Sequence, residues 1–340
     1  MSVAVAARAP GKLFITGEYA VLAGAPALVA AVDRYAEVRV RLGDEAGSLL
    51  VESLADGGRR PGRATAEGGD AAAVVAALRA CAARASRLDG RRCHVLVDSR
   101  ALLAGERKLG LGRSAATVTA AVAAFLAAVE HGDAAETFTT AVAAHSLFQD
   151  GRGSGADVAA AVHGGVVECR RVEGRLVIAR RALPPGLHLV VGWTGEAAPT
   201  AALVERFGAG GRERGVLGEL SAAAEGAAEA AAGHDARALV ASVARSAELL
   251  ERLGRELGLP IVTPALARLV AAARRVGAVA KPSGAGGGDC GIALADSATQ
   301  AAAVRAAWEG EGIVPLPVTI AAEGVRTDRP AQAAGEVSLG

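Results

Sequence analysis

Residues 108–116 read Lys-Leu-Gly-Leu-Gly-Arg-Ser-Ala-Ala, and the uncharged, alanine-rich run 114–129 follows directly. Two glycines ahead of a helix let the backbone approach a ligand closely, and the helix start aims free N–H groups and the positive end of its dipole at the same point. Ser114 adds a hydroxyl for a phosphate oxygen or a metal ion. The Walker pattern G-x-x-x-x-G-K-[ST] is absent. The dinucleotide pattern G-x-G-x-x-A is met at Gly110, Gly112 and Ala115. It needs a strand running straight into the loop, which residues 100–108 do not resemble. A phosphate-binding loop is the preferred reading, over a plain helix start or a dinucleotide site.

The rest of the chain sets the frame for that loop. Its 340 residues are 51% apolar and 21% charged, enough for a sizeable core in two domains or two lobes. Aromatics are only 3%, so cores must be built from Val, Leu and Ala on closely spaced elements. A net charge of +1 supplies no long-range field for nucleic acid or an anionic membrane, so anion binding must be local. The 16-residue run 114–129 falls short of the roughly 20 residues a membrane helix needs. No secretory pattern opens the chain, and the four cysteines show neither C-x-x-C pairs nor zinc spacing. A cytoplasmic protein with buried, reduced thiols is expected. Of 37 basic residues only Lys12, Lys108 and Lys281 are lysine, and each lies near a glycine cluster. A compact ammonium is not interchangeable with a guanidinium fork, so chemistry is a reason for lysine at these places.

Apolar periodicity predicts strands over 3–7, 35–42, 48–53 and 93–98, a hairpin of 166–171 with 175–181, and a strand over 188–194. Helices are predicted over 70–88, 113–129, 137–149 and 156–162, then 199–207, 214–232, 235–257 and 263–276. The chain closes with a strand at 292–295, a helix at 297–309 and a strand at 313–320. The fold class is α+β. Pro184-Pro185-Gly186 marks a boundary between a 1–183 domain and a 184–322 domain, with 323–340 as a flexible tail.

Three further stretches carry chemistry-bearing residues. Residues 280–291 hold five glycines in the eight positions 284–291, a density that suits backbone passing close to a ligand. Residues 9–22 place Lys12, Glu18 and Tyr19 beside the first strand. Residues 151–158 place Asp157 just inside a short helix after a glycine turn, where the helix dipole alone also favours an acid.

Together these stretches resemble the GHMP kinases, whose three motifs occur here in order as APGKLFITGEY, GLGRSAA and KPSGAGGGDCG. The resemblance covers residues 5–321. Within the family, GEY in the first motif, SGAGGGDCGIAL, GSGADVAAAVHGG (153–165) and the 248–266 stretch look most like the phosphomevalonate kinase branch. The resemblance implies a two-lobed fold, with an N-terminal lobe like ribosomal protein S5 and a ferredoxin-like C-terminal lobe. It implies ATP with Mg²⁺ as phosphoryl donor, phosphomevalonate as small-molecule acceptor, and a monomer or homodimer. Lys12 and Asp157 would be catalytic. Lys108, Gly110, Leu111, Gly112, Arg113, Ser114 and Ala115 would hold the nucleotide, with Ser114 facing the metal. Tyr19, Ser154, Ser283, Gly284, Ala285 and Gly286, with Lys12, would line the acceptor pocket, and Lys281 would stand behind them. Mevalonate kinase and a non-catalytic ligand sensor are the alternatives. One departure stands out: the second motif usually reads G-L-G-S-S-A, and here Arg113 takes the first serine's place. Three readings stay open: Ser114 retains the needed hydroxyl, Arg113 points inward and adds charge at the phosphates, or the lost hydroxyl is essential and turnover is poor.

Overall fold

The computed structural model describes residues 3–55, 62–63, 69–85, 88, 90–130, 132–151, 153–210 and 215–328. The chain opens with two long strands, β1 (Val3–Thr16) and β2 (Ala27–Ala46), paired antiparallel. The strand expected over 3–7 is longer, and β1 continues through Pro10-Gly11 with a register shift between the two residues. Lys12 therefore sits within a strand instead of after one. β3 (Leu49–Ser53), β4 (Gly62–Arg63), α1 (Gly69–Ala82) and β5 (Arg91–Asp98) follow. The two-residue strands β6 (Leu103–Ala104) and β7 (Arg107–Lys108) form a small hairpin that delivers the 108–112 loop. Helices α2 (Arg113–Ala128), α3 (Ala134–Phe148) and α4 (Ala156–His163) come next. The hairpin β8 (Val166–Val172) and β9 (Arg175–Arg181) then turns at Glu173-Gly174 as the sequence predicts, both residues at positive φ.

Apart from β6 and β7, these strands share one sheet, in the order β1-β2-β5-β3-β4 with β8 and β9 joined through β2. Helix α2 lies against β1 and β2 and touches α1, α3 and α4. Every residue from Ala115 to Leu126 is buried. A helix apolar on all sides must be covered on all sides, and its alanine methyls let those neighbours approach closely.

After Arg181 the chain enters a second unit. Its elements are β10 (His188–Trp193), α5 (Thr200–Gly210), α6 (Gly215–Ala232), α7 (Ala236–Leu257), α8 (Pro264–Arg275), β11 (Val279–Pro282), β12 (Cys290–Ala295), α9 (Ala298–Glu309) and β13 (Val314–Leu316). The antiparallel order is β11-β12-β10-β13. Helix α7 is capped by Asp235, which accepts from the Ala238 amide at 2.9 Å. It buries Leu239, Val243, Leu249, Leu250 and Leu253, and keeps Arg245 and Arg252 outside, paired with Glu219 of α6. The architecture is α+β and two-lobed.

Two expectations need correction at the C-terminus. The closing strand spans only Val314–Leu316, because two prolines, Pro315 and Pro317, remove ladder donors. The stretch expected to be a tail from 323 instead forms β14 (Arg326–Asp328), which pairs with Ala6–Arg8 at the edge of the first sheet. Residues 329–340 lie outside the described residues.

Candidate active site

The site forms where β1, the 108–112 loop, α4 and the 283–289 loop converge. The amide of Lys12 donates to the Leu111 carbonyl at 2.7 Å, fastening the first motif to the second. The Lys12 ammonium lies 3.6 Å from the Asp157 carboxylate and 5.1 Å from the centre of the Phe14 ring. Gly110 and Gly112 both adopt left-handed backbone, with φ of 79° and 76°. A Cβ on Gly110 would lie 2.3 Å from the Asp289 Cβ, and one on Gly112 would lie 2.6 Å from the Lys12 Cγ. The loop is thus glycine because neighbouring side chains press on it, as well as to admit a ligand. No side chain caps α2, and its first turn carries no carboxylate, so its positive end opens on the cavity.

Asp157 occupies the first turn of α4 behind Gly155. Burial works against its charged form, but Lys12 and His145 outweigh this and hold its carboxyl below the ordinary range. His145 is buried on α3, with Nε2 3.2 Å from the Ser114 hydroxyl. Burial pushes its pKa down, against the opposing pull of the Asp157 carboxylate.

The third motif is held from beneath. Lys281 is fully buried and donates to Glu18, whose carboxylate also accepts from the Gly284 amide at 3.3 Å. The Ser283 hydroxyl donates to the Phe14 carbonyl at 3.0 Å. Tyr19 packs on Phe207 with ring centres 4.9 Å apart, and its hydroxyl donates to the Ala285 carbonyl at 2.6 Å. At the other wall, Lys108 donates to the Ala198 carbonyl and stands 3.6 Å from Asp289.

A cavity of about 790 Å³ opens between these elements. Of the residues singled out in the sequence, Lys12, Tyr19, Lys108, Gly110, Gly112, Arg113, Ser114, Ser154, Asp157, Ser283, Gly284, Ala285 and Gly286 line it. The side chains of Leu111 and Ala115 do not; both are buried in the core, leaving only their backbone for a ligand. Arg113 turns toward Asp70, at the start of α1, with Nη2 2.9 Å from Oδ2. His145, Asp70 and Asp289 were not anticipated as site residues. The only local signal was an acid, Asp289, inside a glycine run; for His145 and Asp70 the signal is tertiary.

The family described as GHMP kinases C terminal matches residues 227–314. A phosphomevalonate kinase of Streptomyces sp. strain CL190 is 36% identical over 93% of this chain and 97% of its own length. The chain belongs to the GHMP kinase family. A mevalonate kinase of Aeropyrum pernix is 32% identical, covering 86% of this chain and 88% of its own. Among solved structures, Streptococcus pneumoniae phosphomevalonate kinase in complex with phosphomevalonate and AMPPNP superposes with a TM-score of 0.80. It is 25% identical and covers 93% of this chain and 99% of that one. Residues from the 9–22, 108–116 and 280–291 stretches line this one cavity.

No helix among the described residues is long and apolar enough to cross a membrane, and the four cysteines are free and buried. No cluster of three or more His, Cys, Asp or Glu side chains among the described residues could hold a metal ion.

Proposed function

We propose that this GHMP kinase transfers the γ-phosphoryl group of ATP to the phosphate of 5-phosphomevalonate, giving 5-diphosphomevalonate and ADP. The observation that carries the reading is the placement of Lys12. Its ammonium stands between the glycine loop at the start of α2 and the 283–286 loop, beside the Asp157 carboxylate. A phosphate oxygen of the acceptor attacks the γ-phosphorus while the bond to the β–γ bridging oxygen breaks. Both partners are anions, so the chain's task is alignment and charge neutralisation. Lys12 supplies a point charge between donor and acceptor, and Asp157 fixes its position. The acceptor is already an oxyanion, so no strong base is required. The backbone of residues 110–115 and the open end of α2 suit the triphosphate, with Lys108 at the loop's entrance.

Ser114, which lines the cavity, would be the side chain to hold a Mg²⁺ ion arriving on the nucleotide. Such an ion would neutralise charge on the transferring group. The likeness to the phosphomevalonate kinase of Streptomyces and the complex from Streptococcus support this acceptor over mevalonate. Buried free thiols support a reducing, cytoplasmic setting. A coupled ADP-release assay with mevalonate, phosphomevalonate and galactose tests the reading. Phosphomevalonate should give the highest kcat/KM, and its advantage over mevalonate should shrink as salt rises. Faster turnover of mevalonate would overturn the acceptor assignment.

A further inference from the structure

Asp70 is only 2% exposed and carries more partners than a helix-capping acid needs. Its Oδ2 accepts from Ser53 and Ser99, both at 2.8 Å, and lies 2.9 Å from the Arg113 Nη2. Its Oδ1 accepts from the Arg113 Nε at 3.1 Å and from Thr117 at 3.3 Å. Ser99, in turn, accepts from the Arg113 Nε at 2.8 Å. Arg113 and Thr117 are the first and fifth residues of α2, the helix whose open end the glycine loop precedes. Ser53 ends β3, and Ser99 follows β5. One carboxylate thus ties the start of the phosphate-facing helix to α1 and to two strand ends.

We propose that Asp70 is a positioning residue for the nucleotide. Acting through the Arg113 fork and the Thr117 hydroxyl, it fixes the first turn of α2 and the 110–114 loop in their anion-binding pose. Arg113 serves as a strut in this arrangement and not as a phosphate ligand. Two parallel contacts from a planar guanidinium to a buried carboxylate fix direction as well as distance. Leu109 and Leu111 anchor the loop in the core, and the first turn of α2, tied to Asp70, holds its other end. The inference rests on the reading that nucleotide binds at this loop.

The test is calorimetric titration of AMPPNP with Mg²⁺ into the full-length protein, with KM for ATP and for acceptor measured in parallel. Wild-type protein that bound no AMPPNP would defeat the underlying reading and be recognised as such before any variant is compared. Asp70→Asn leaves the guanidinium without its carboxylate, and Arg113→Gln leaves the carboxylate without its fork. Each should weaken AMPPNP about tenfold and raise KM for ATP while KM for acceptor stays unchanged. The double variant replaces the ion pair by two amides that can bond to each other, and should recover binding to within about threefold of wild type. Should Asp70→Asn fold poorly, Arg113→Gln and the double variant carry the comparison, because Arg113 is the more exposed partner. Wild-type binding by Arg113→Gln, additive losses in the double variant, or equal rises in both KM values would overturn the proposal. Additive losses would make Arg113 a direct phosphate ligand.

Discussion

Replacing Gly112 by alanine separates two roles that a glycine in a phosphate loop can have. The added Cβ would lie 2.6 Å from the Lys12 Cγ and 2.8 Å from its Cε, inside any permitted contact. The backbone there has φ of 76°, which costs a residue with a Cβ about 1–2 kcal/mol. The remainder of the strain falls on Lys12, whose stem must swing away and draw its ammonium from the 3.6 Å contact with Asp157. Removing one preorganised positive group from a transferring phosphoryl is worth about 3–4 kcal/mol, or roughly a hundredfold to a thousandfold in kcat. Gly174→Ala is the control: its φ is 80°, nothing lies within 4 Å of the added Cβ, and it turns the remote β8–β9 hairpin. Both variants should lose similar stability in denaturant titrations. Only Gly112→Ala should lose turnover in the ADP-release assay. A kcat within about threefold of wild type would refute the claim that this glycine exists to make room for Lys12.

Two further outcomes follow from the ion pairs. Glu18→Gln leaves the fully buried Lys281 without its counter-charge, and should destabilise the fold by about 3–5 kcal/mol in chemical denaturation; an unchanged midpoint would show the pair to be dispensable. For Asp157 the folded carboxyl titrates below its unfolded value, so its stabilisation is complete above that value and disappears as pH falls through the folded one. The stability difference between wild type and Asp157→Asn should be flat above about pH 5 and close below about pH 4. A difference that widened on acidification would contradict the Lys12–Asp157 pairing.

Many of the residues that line the cavity were legible in the sequence because they sit in local patterns. Gly110 and Gly112 precede an apolar helix with Ser114 in its first turn, Asp157 follows a glycine turn, and each of three rare lysines sits beside such a stretch. The resemblance to the GHMP kinases needs only their order. Element types were also legible wherever one face is buried, as in α7 with its leucines on one side and its arginines on the other. Local reading failed where long-range pairing overrides propensity. Pro10-Gly11 lies inside a strand because β2 supplies the ladder on both sides of the shift, and Arg326–Asp328 becomes a strand only because the edge of β1 is free to receive it.

What only the tertiary structure decided is which charges meet. Lys12 and Asp157 are far apart in the chain, as are Lys281 and Glu18, and no spacing rule links Asp70 to Arg113. Ser114 keeps a hydroxyl on the cavity beside His145, one of the courses left open by the sequence alone, while the Arg113 guanidinium is held by Asp70. A motif fixes backbone shape because φ, ψ and helix dipoles are properties of neighbouring residues. The partner of a buried charge is set by the low-dielectric interior, which demands a counter-charge from whatever element the fold brings within reach.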